Sequence, residues 1–245
     1  PNRYFIELAY HGAPFHGWQR QPQSPSVQQA IEEALATVLR KPVEILGCGR
    51  TDTGVHASNY YAHFDTDEAL NSETLKSVNA LCGKNIVLQK FHPVDPGAHA
   101  RFDATSRSYQ YHIHFNENPF ILQTSWYWYH YKPNFDLMME AAASLLEFED
   151  FNSFCKSRSD AKTTICKLSR VEWEISEDAA VLHISSDRFL RGMVRLITGA
   201  LIEVGQKKLS ISDFKSQVKA GIRVGSALSV PAHGLFLSDI QYPYI

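Results

Sequence analysis

Seven apolar residues, Val27, Ala30, Ile31, Ala34, Leu35, Val38 and Leu39, recur at i, i+3, i+4, i+7, i+8, i+11 and i+12. That repeat is the signature of a helix with one buried face. Ser26 stands where an N-cap belongs, Gln29 completes a capping-box pattern three residues on, and Pro42 ends the run. A helix with a single apolar face must bury it against another layer. The flanking segments supply that layer. Arg3–Tyr10 is rich in aromatic and β-branched residues, although its alternation is imperfect, and Val43–Leu46, Tyr60–Phe64 and Ile86–Phe91 are short apolar runs that predict strands. Asn71–Cys82 predicts a second helix, capped by Ser72 and stopped at Gly83. Helices alternating with strands describe a compact α/β unit over residues 1–103, its edge marked by Pro93 and Pro96-Gly97.

The rest of the chain carries the same two periods. Tyr109, Tyr111, Ile113 and Phe115 fall on one face of a predicted strand, with Ser108, Gln110, His112 and His114 on the other. Asn134–Glu147 has helical spacing. Val171, Trp173 and Ile175 form one strand face, with Val181–Ser185 as its hairpin partner across Ser176–Asp178. Leu190, Met193, Val194, Ile197, Leu201 and Val204 make a second buried helical stripe, in which Gly192 and Gly199 allow close packing. Arg188, Arg191 and Arg195, at i, i+3 and i+7, are expected to share one face of that helix. Ile211–Ala220 predicts a further helix. The expected fold class is therefore α/β of the α+β type, with a second unit over 104–245.

At 245 residues the chain can build one large core or two small ones. Cys48, Cys82, Cys155 and Cys166 show no C-x-x-C spacing and no companion histidines at zinc-site intervals, so reduced thiols and no metal are expected. No apolar run approaches the roughly 20 residues that span a bilayer, and no signal peptide is recognisable, which makes a cytoplasmic protein the expectation. The net charge of −2 argues against a polyanionic partner, but its distribution argues for one. Between Arg188 and Arg223 eight basic side chains face only Glu203 and Asp213. Lys156, Arg158, Lys162 and Lys167 add a basic loop, suited equally to phosphate contact and to plain solvation.

Chemistry concentrates in Gly47-Cys48-Gly49-Arg50-Thr51-Asp52-Thr53-Gly54-Val55-His56-Ala57, which joins two predicted strands. Taken alone, it reads either as a tight turn whose Asp bonds backbone amides or as a site built on an exposed carboxylate. Tyr10–Gln21, rich in Gly and Pro, carries Phe15, Trp18, Gln19 and Arg20. Exposed, these suit stacking on unpaired bases; folded inward, Phe15 and Trp18 make a small core. No phosphate-binding glycine loop and no H-E-x-x-H helix is present.

Gly49–Ala57 resembles the active-site word G-R-T-D-x-G-V-H-A of the tRNA pseudouridine synthase A family. Tyr10–Gln19 is similar to that family's Y-x-G-x-x-F/Y-x-G-W/F-Q, Ala100–Tyr109 to A-R-F-x-A-x-x-R-x-Y, Asp150–Phe154 to D-F-x-S-F, Phe189–Gly205 to F-L-x-x-M-V-R-x-I-x-G-x-L-x-x-V-G, and Pro231–Leu237 to P-A-x-G-L-x-L. The resemblance implies two RNA-recognition-like domains with largely antiparallel sheets flanking a central active-site cleft, in a homodimer that binds the anticodon arm of tRNA. It implies isomerisation of uridines 38, 39 and 40 without metal or cofactor. By carry-over Asp52 is the catalytic carboxylate, Arg195 its partner, Tyr109 the ring against the target base and Arg50 a holder of the loop or a phosphate, with Leu235 or Leu237 lining the pocket. The reaction breaks N1–C1′ and forms C5–C1′. Because uracil leaves as a delocalised anion, one carboxylate can suffice where glycosidases use two. It serves as nucleophile at C1′ or as the base removing a sugar proton. A non-catalytic RNA-binding module and a single-Asp nucleoside hydrolase are the competing readings.

Overall fold

The structure is a computed structural model that describes residues 1–156 and 162–245; Arg158 of the predicted basic loop lies outside the described residues. In chain order the strands are β1 (Asn2–Tyr10), β2 (Leu46–Gly47), β3 (His56–Thr66), β4 (Ile86–Val94), β5 (Ser106–His114), β6 (Trp126–Tyr127), β7 (Leu168–Ile175), β8 (Ala179–Ser186) and β9 (Leu235–Gln241). The helices are α1 (Val27–Leu39), α2 (Ser72–Cys82), α3 (Phe135–Ser144), α4 (Met193–Gly205) and α5 (Ile211–Lys219). The class is mixed α/β with mostly antiparallel pairing, as the sequence predicts. The chain divides into two compact units, Pro1–Thr105 with Phe236–Ile245, and Ser106–Leu235.

In the first unit β1 pairs antiparallel with both β3 and β4, β2 pairs antiparallel with β3, and β9 runs parallel to β3 through His56↔Phe236 and Ala57↔Leu237. A strand flanked on both sides and covered on both faces has no need to alternate. That explains β1, where Tyr4, Phe5, Ile6, Leu8 and Tyr10 are all buried. Phe5 meets Tyr242 edge-on at 5.2 Å and Tyr244 at 5.9 Å. Residues 236–245 thus belong with the first unit, although the sequence boundary at 103/104 assigned them to the second. What ties them is this ring packing and the Tyr242 hydroxyl, which donates to the Ala100 carbonyl at 2.5 Å.

The ends of the elements depart from the sequence patterns for local reasons. Ser26 caps α1 by accepting from Gln29 N, but the Gln29 side chain donates to Glu33 at 2.8 Å, so the box is half made. For α2 the cap is Asn71, not Ser72, and here the box with Thr74 is complete. Predicted strand Val43–Leu46 shrinks to Leu46–Gly47 because α1 takes its backbone bonds. Ile45 N donates to Glu32 Oε1 at 3.1 Å, and Gln28 Nε2 donates to Ile45 O at 3.0 Å.

In the second unit β8 pairs antiparallel with β5 and β7, and β6 runs parallel to β5. The β7–β8 hairpin turns at Ser176–Asp178, with Ser176 N donating to Ala179 O. Tyr111, Ile113, Val171, Trp173, Leu182 and Ile184 are buried, and α3 packs against α4, α5 and β7. Almost every residue of α4 is buried. Its first residue is Met193, because Gly192 at φ +73° breaks the helical path. Arg188 and Arg191 therefore precede the helix, and the expected three-arginine face does not exist.

A buried histidine sets an acid limit on the first unit. His63 is 3% exposed, accepts Ala100 N through Nδ1 at 3.1 Å, and has His99 edge-on at 4.6 Å. Burial, helped by the charges of His99 and Arg3, pushes its pKa down to about 4. An unfolded histidine, with a pKa near 6.5, binds its proton first as pH falls. The stability this neutral ring contributes is therefore complete above about pH 6.5 and lost progressively down to about 4. The unfolding midpoint should fall across that window, and His63→Asn should flatten the slope there. Superimposable slopes for the two proteins would remove His63 from the effect.

Candidate active site

The loop bearing Asp52 has no regular structure, and its rigidity is borrowed from the segment after β1. Trp18 N donates to Thr51 O at 3.3 Å, Tyr10 and Thr51 share a hydroxyl bond at 2.8 Å, and Gly12 N donates to His56 Nδ1 at 2.9 Å. The two backbones are in contact. A Cβ on Gly12 would lie 2.0 Å from Val55 O, and one on Gly17, at φ +90°, would lie 2.4 Å from Thr51 O. Beneath the loop Trp18 stacks on Tyr60 with centroids 4.1 Å apart, and Tyr60 donates its hydroxyl to Gly49 O at 2.5 Å. Trp18 is 2% exposed. It is core, so of the two readings the segment allows, stacking on bases and folding inward, the second holds for Trp18. Phe15 remains half-buried.

Within this frame Asp52 is half-buried and its carbonyl accepts Val55 N at 3.1 Å, closing a turn over Thr53 and Gly54. Arg50 is exposed on the same loop. His56, which ends the loop, is fully buried; it stacks on Phe236 at 4.6 Å and meets His11 edge-on at 4.5 Å. Residue types alone gave no role to Gly12, Gly17, His56 or Tyr60. The available signal was spacing, since two glycines precede Trp18 in a segment with no helix or strand period.

Tyr109 and Arg195 belong to the second unit. Tyr109 lies on β5 opposite Ile184, half-buried, with its ring edge-on to Phe189 at 5.1 Å and 88°. Arg195 sits in the first turn of α4, and its Nε donates to Val230 O at 2.6 Å. The guanidinium acts on Tyr111 and on His233. Burial raises the Tyr111 pKa, which Arg195 opposes, and burial lowers that of His233, which Arg195 reinforces. Tyr111 donates its hydroxyl to Pro231 O at 2.8 Å. Leu235 and Leu237 are both buried. His112 bonds Gln110, and His114 bonds Ser125; among the described residues no group of three or more His, Cys, Asp or Glu could hold a metal ion.

Residues 141–243 match a family described as tRNA pseudouridine synthase. The chain is 46% identical to the tRNA pseudouridine synthase A of Azobacteroides pseudotrichonymphae over 99% of its own length and 97% of that protein's. It is 46% identical to the enzyme of that name from Bacteroides fragilis, over 98% and 96% of the two chains. With the Bacillus subtilis protein of that name identity is 32%, over 96% and 97%.

The position of Trp18 generates a direct test. Trp18→Ala should cost about 3–5 kcal/mol of folding stability, the usual range for emptying a buried aromatic site, read from denaturant unfolding. A variant as stable as the parent, changed only in its affinity for RNA, would put the ring on the surface instead.

Proposed function

The chain belongs to the tRNA pseudouridine synthase A family, and from that membership we infer that it is an isomerase converting uridine in tRNA to pseudouridine. We propose further that its targets are uridines 38, 39 and 40 of the anticodon arm, that it works as a homodimer, and that one carboxylate, Asp52, does the covalent chemistry without a cofactor. The observation that carries the assignment of Asp52 is its setting. It is the acidic side chain of a loop whose backbone is held by Trp18, Tyr60 and Gly12 and whose Thr51 hydroxyl is held by Tyr10. Groups that must reach a sugar carbon gain most from such prepositioning.

The chemistry assigns the other roles. Uracil must leave C1′, turn, and return through C5, so the detached base has to be kept in place between the two bonds. Tyr109 is proposed as the ring that lies against it. A target uridine taken out of its stack costs about a few kcal/mol, and a ring on which to rest recovers part of that. Arg195 is proposed as the cation that keeps Asp52 ionised, a task for which the planar guanidinium is suited. Arg50, exposed beside Asp52, is proposed to hold the loop or a phosphate. Asp52 attacks C1′ or removes a sugar proton; both routes need the same ionised carboxylate.

Asp52→Asn preserves size and removes the charge. With tRNA carrying tritium at uridine C5, tritium release should fall by roughly 10⁴-fold or more, the usual scale for removing a covalent catalyst, while tRNA binding stays within about threefold. Substantial residual release would remove Asp52 from its role. Free uracil from the parent enzyme would mark a hydrolase, and binding with neither product a non-catalytic module.

A further inference from the structure

Residues 224–231 run as a strap along α4 and touch it at three successive turns. Arg195, Gly199 and Glu203 stand at i, i+4 and i+8 on one stripe of the helix. At the near end, Arg195 Nε donates to Val230 O at 2.6 Å, and Val230 N returns a bond to Arg195 O at 3.4 Å. In the middle no side chain separates the two backbones: a Cβ on Gly199 would lie 2.0 Å from Leu228 O. At the far end Glu203, 8% exposed, accepts Ser226 N through Oε2 at 3.0 Å and the Ser226 hydroxyl through Oε1. Gly225, at φ +53°, leaves room for that carboxylate, since a Cβ there would lie 2.0 Å from Oε2. Ala227 also takes a left-handed φ of +55°. Such a conformation persists in a residue other than glycine only where its surroundings hold it.

The three fixings act on one atom that matters. Val230 O receives the single Nε–H of Arg195, and that bond sets the plane of the guanidinium and so the direction of its two amino groups. A carboxylate forms stronger bonds to these donors than a neutral acceptor would, and the tight approach at Gly199 leaves the strap little slack between its anchor and Val230. Resting on the role proposed above for Arg195, we propose that Glu203 is a positioning residue for the isomerisation: through Ser226 and the strap it sets the Val230 carbonyl that aims the Arg195 guanidinium.

The test compares the parent enzyme with Glu203→Gln, Ser226→Ala, Arg195→Lys and the Glu203→Gln/Arg195→Lys double variant, by tritium release from tRNA. Glu203→Gln and Ser226→Ala should each lower kcat by about tenfold or more, since small misplacements of a reacting group can cost that much, with KM for tRNA within about threefold. Lysine has no Nε–H arm for Val230 to orient. In the Arg195→Lys background, therefore, Glu203→Gln should cost no more than about a further twofold, the non-additivity of two groups acting as one. A carboxylate that merely stabilises the fold would cost the same factor in both backgrounds, and that result overturns the proposal. So does a kcat within about twofold of the parent for both single variants. If Glu203→Gln fails to unfold cooperatively, Ser226→Ala, which removes one bond of the pair, carries the comparison. Arg195→Lys with the parent's kcat would instead remove Arg195 from the site, a failure of the functional reading that is visible without any Glu203 variant.

Discussion

The first unit depends on one close approach, in which the main chain at Gly12 and Gly17 lies against the main chain at Val55 and Thr51. No side chain could enter either contact without pushing the Asp52 loop outward. The approach is secured from below by the Trp18–Tyr60 stack and from the side by α1, since Val27 N donates to Gly17 O and Gln28 N to Trp18 O. One helix therefore sits behind both halves of the contact. Its Gln28 side chain accepts Arg20 N and donates to Ile45 O, while Glu32 accepts Ile45 N. A loop with little regular structure becomes as well placed as a strand because its polar groups are answered by a buried framework.

Periodicity reveals what an element buries and says little about which partner takes its backbone bonds. The α1 stripe and the β7–β8 hairpin were legible because each repeats a pattern over several residues. The strand expected at Val43–Leu46 was not lost for want of apolar character. Two side chains from α1, 13 and 17 residues away, satisfy Ile45 instead of a neighbouring strand. The three-arginine face failed for a different reason. Helical spacing places Arg188, Arg191 and Arg195 together only if the helix begins early, and Gly192 starts it one residue after Arg191. The family words around Asp52, Tyr109 and Arg195, the residues proposed for the site, were readable, whereas the burial of Trp18 was not. An aromatic beside Gly and Pro can face either way, and only its contact with Tyr60, 42 positions on, decides.

The two units use a common device around the side chains proposed to act, Asp52 in the first and Arg195 in the second. In the first, an arm with glycines at its contacts grips the Asp52 loop; in the second, a strap laid over Gly199 grips the Arg195 side chain through a carbonyl. In both, main-chain atoms make the closest contacts at Gly12, Gly17 and Gly199, and main-chain atoms cannot change rotamer. An isomerisation in which the substrate is cut and rejoined in the same site gains from this, because a group that drifts while the base is detached misses the second bond. The cost is intolerance, since Gly12, Gly17, Gly199 and Gly225 each face an atom within 2.4 Å of where a Cβ would stand.

The same preference for backbone partners explains how a chain of net charge −2 can suit a polyanion. Asp187 is the acid nearest in sequence to Arg188 and would ordinarily cancel it. Its carboxylate instead accepts Arg188 N at 2.7 Å and Lys167 N at 2.8 Å, both main-chain donors, while its carbonyl accepts Arg107 Nη1 at 2.9 Å. The Arg188 guanidinium in turn donates to the carbonyl of Thr163 at 3.2 Å. These bonds order the segment between β8 and α4 without pairing the Arg188 and Asp187 side chains. Phe189, whose neighbours in the chain are Arg188 and Leu190, holds the ring of Tyr109 at its edge. Arg188 thus lies next in the chain to the residue that meets the proposed base-binding ring, and the local field that draws a phosphate backbone depends on where such charges sit rather than on the total charge.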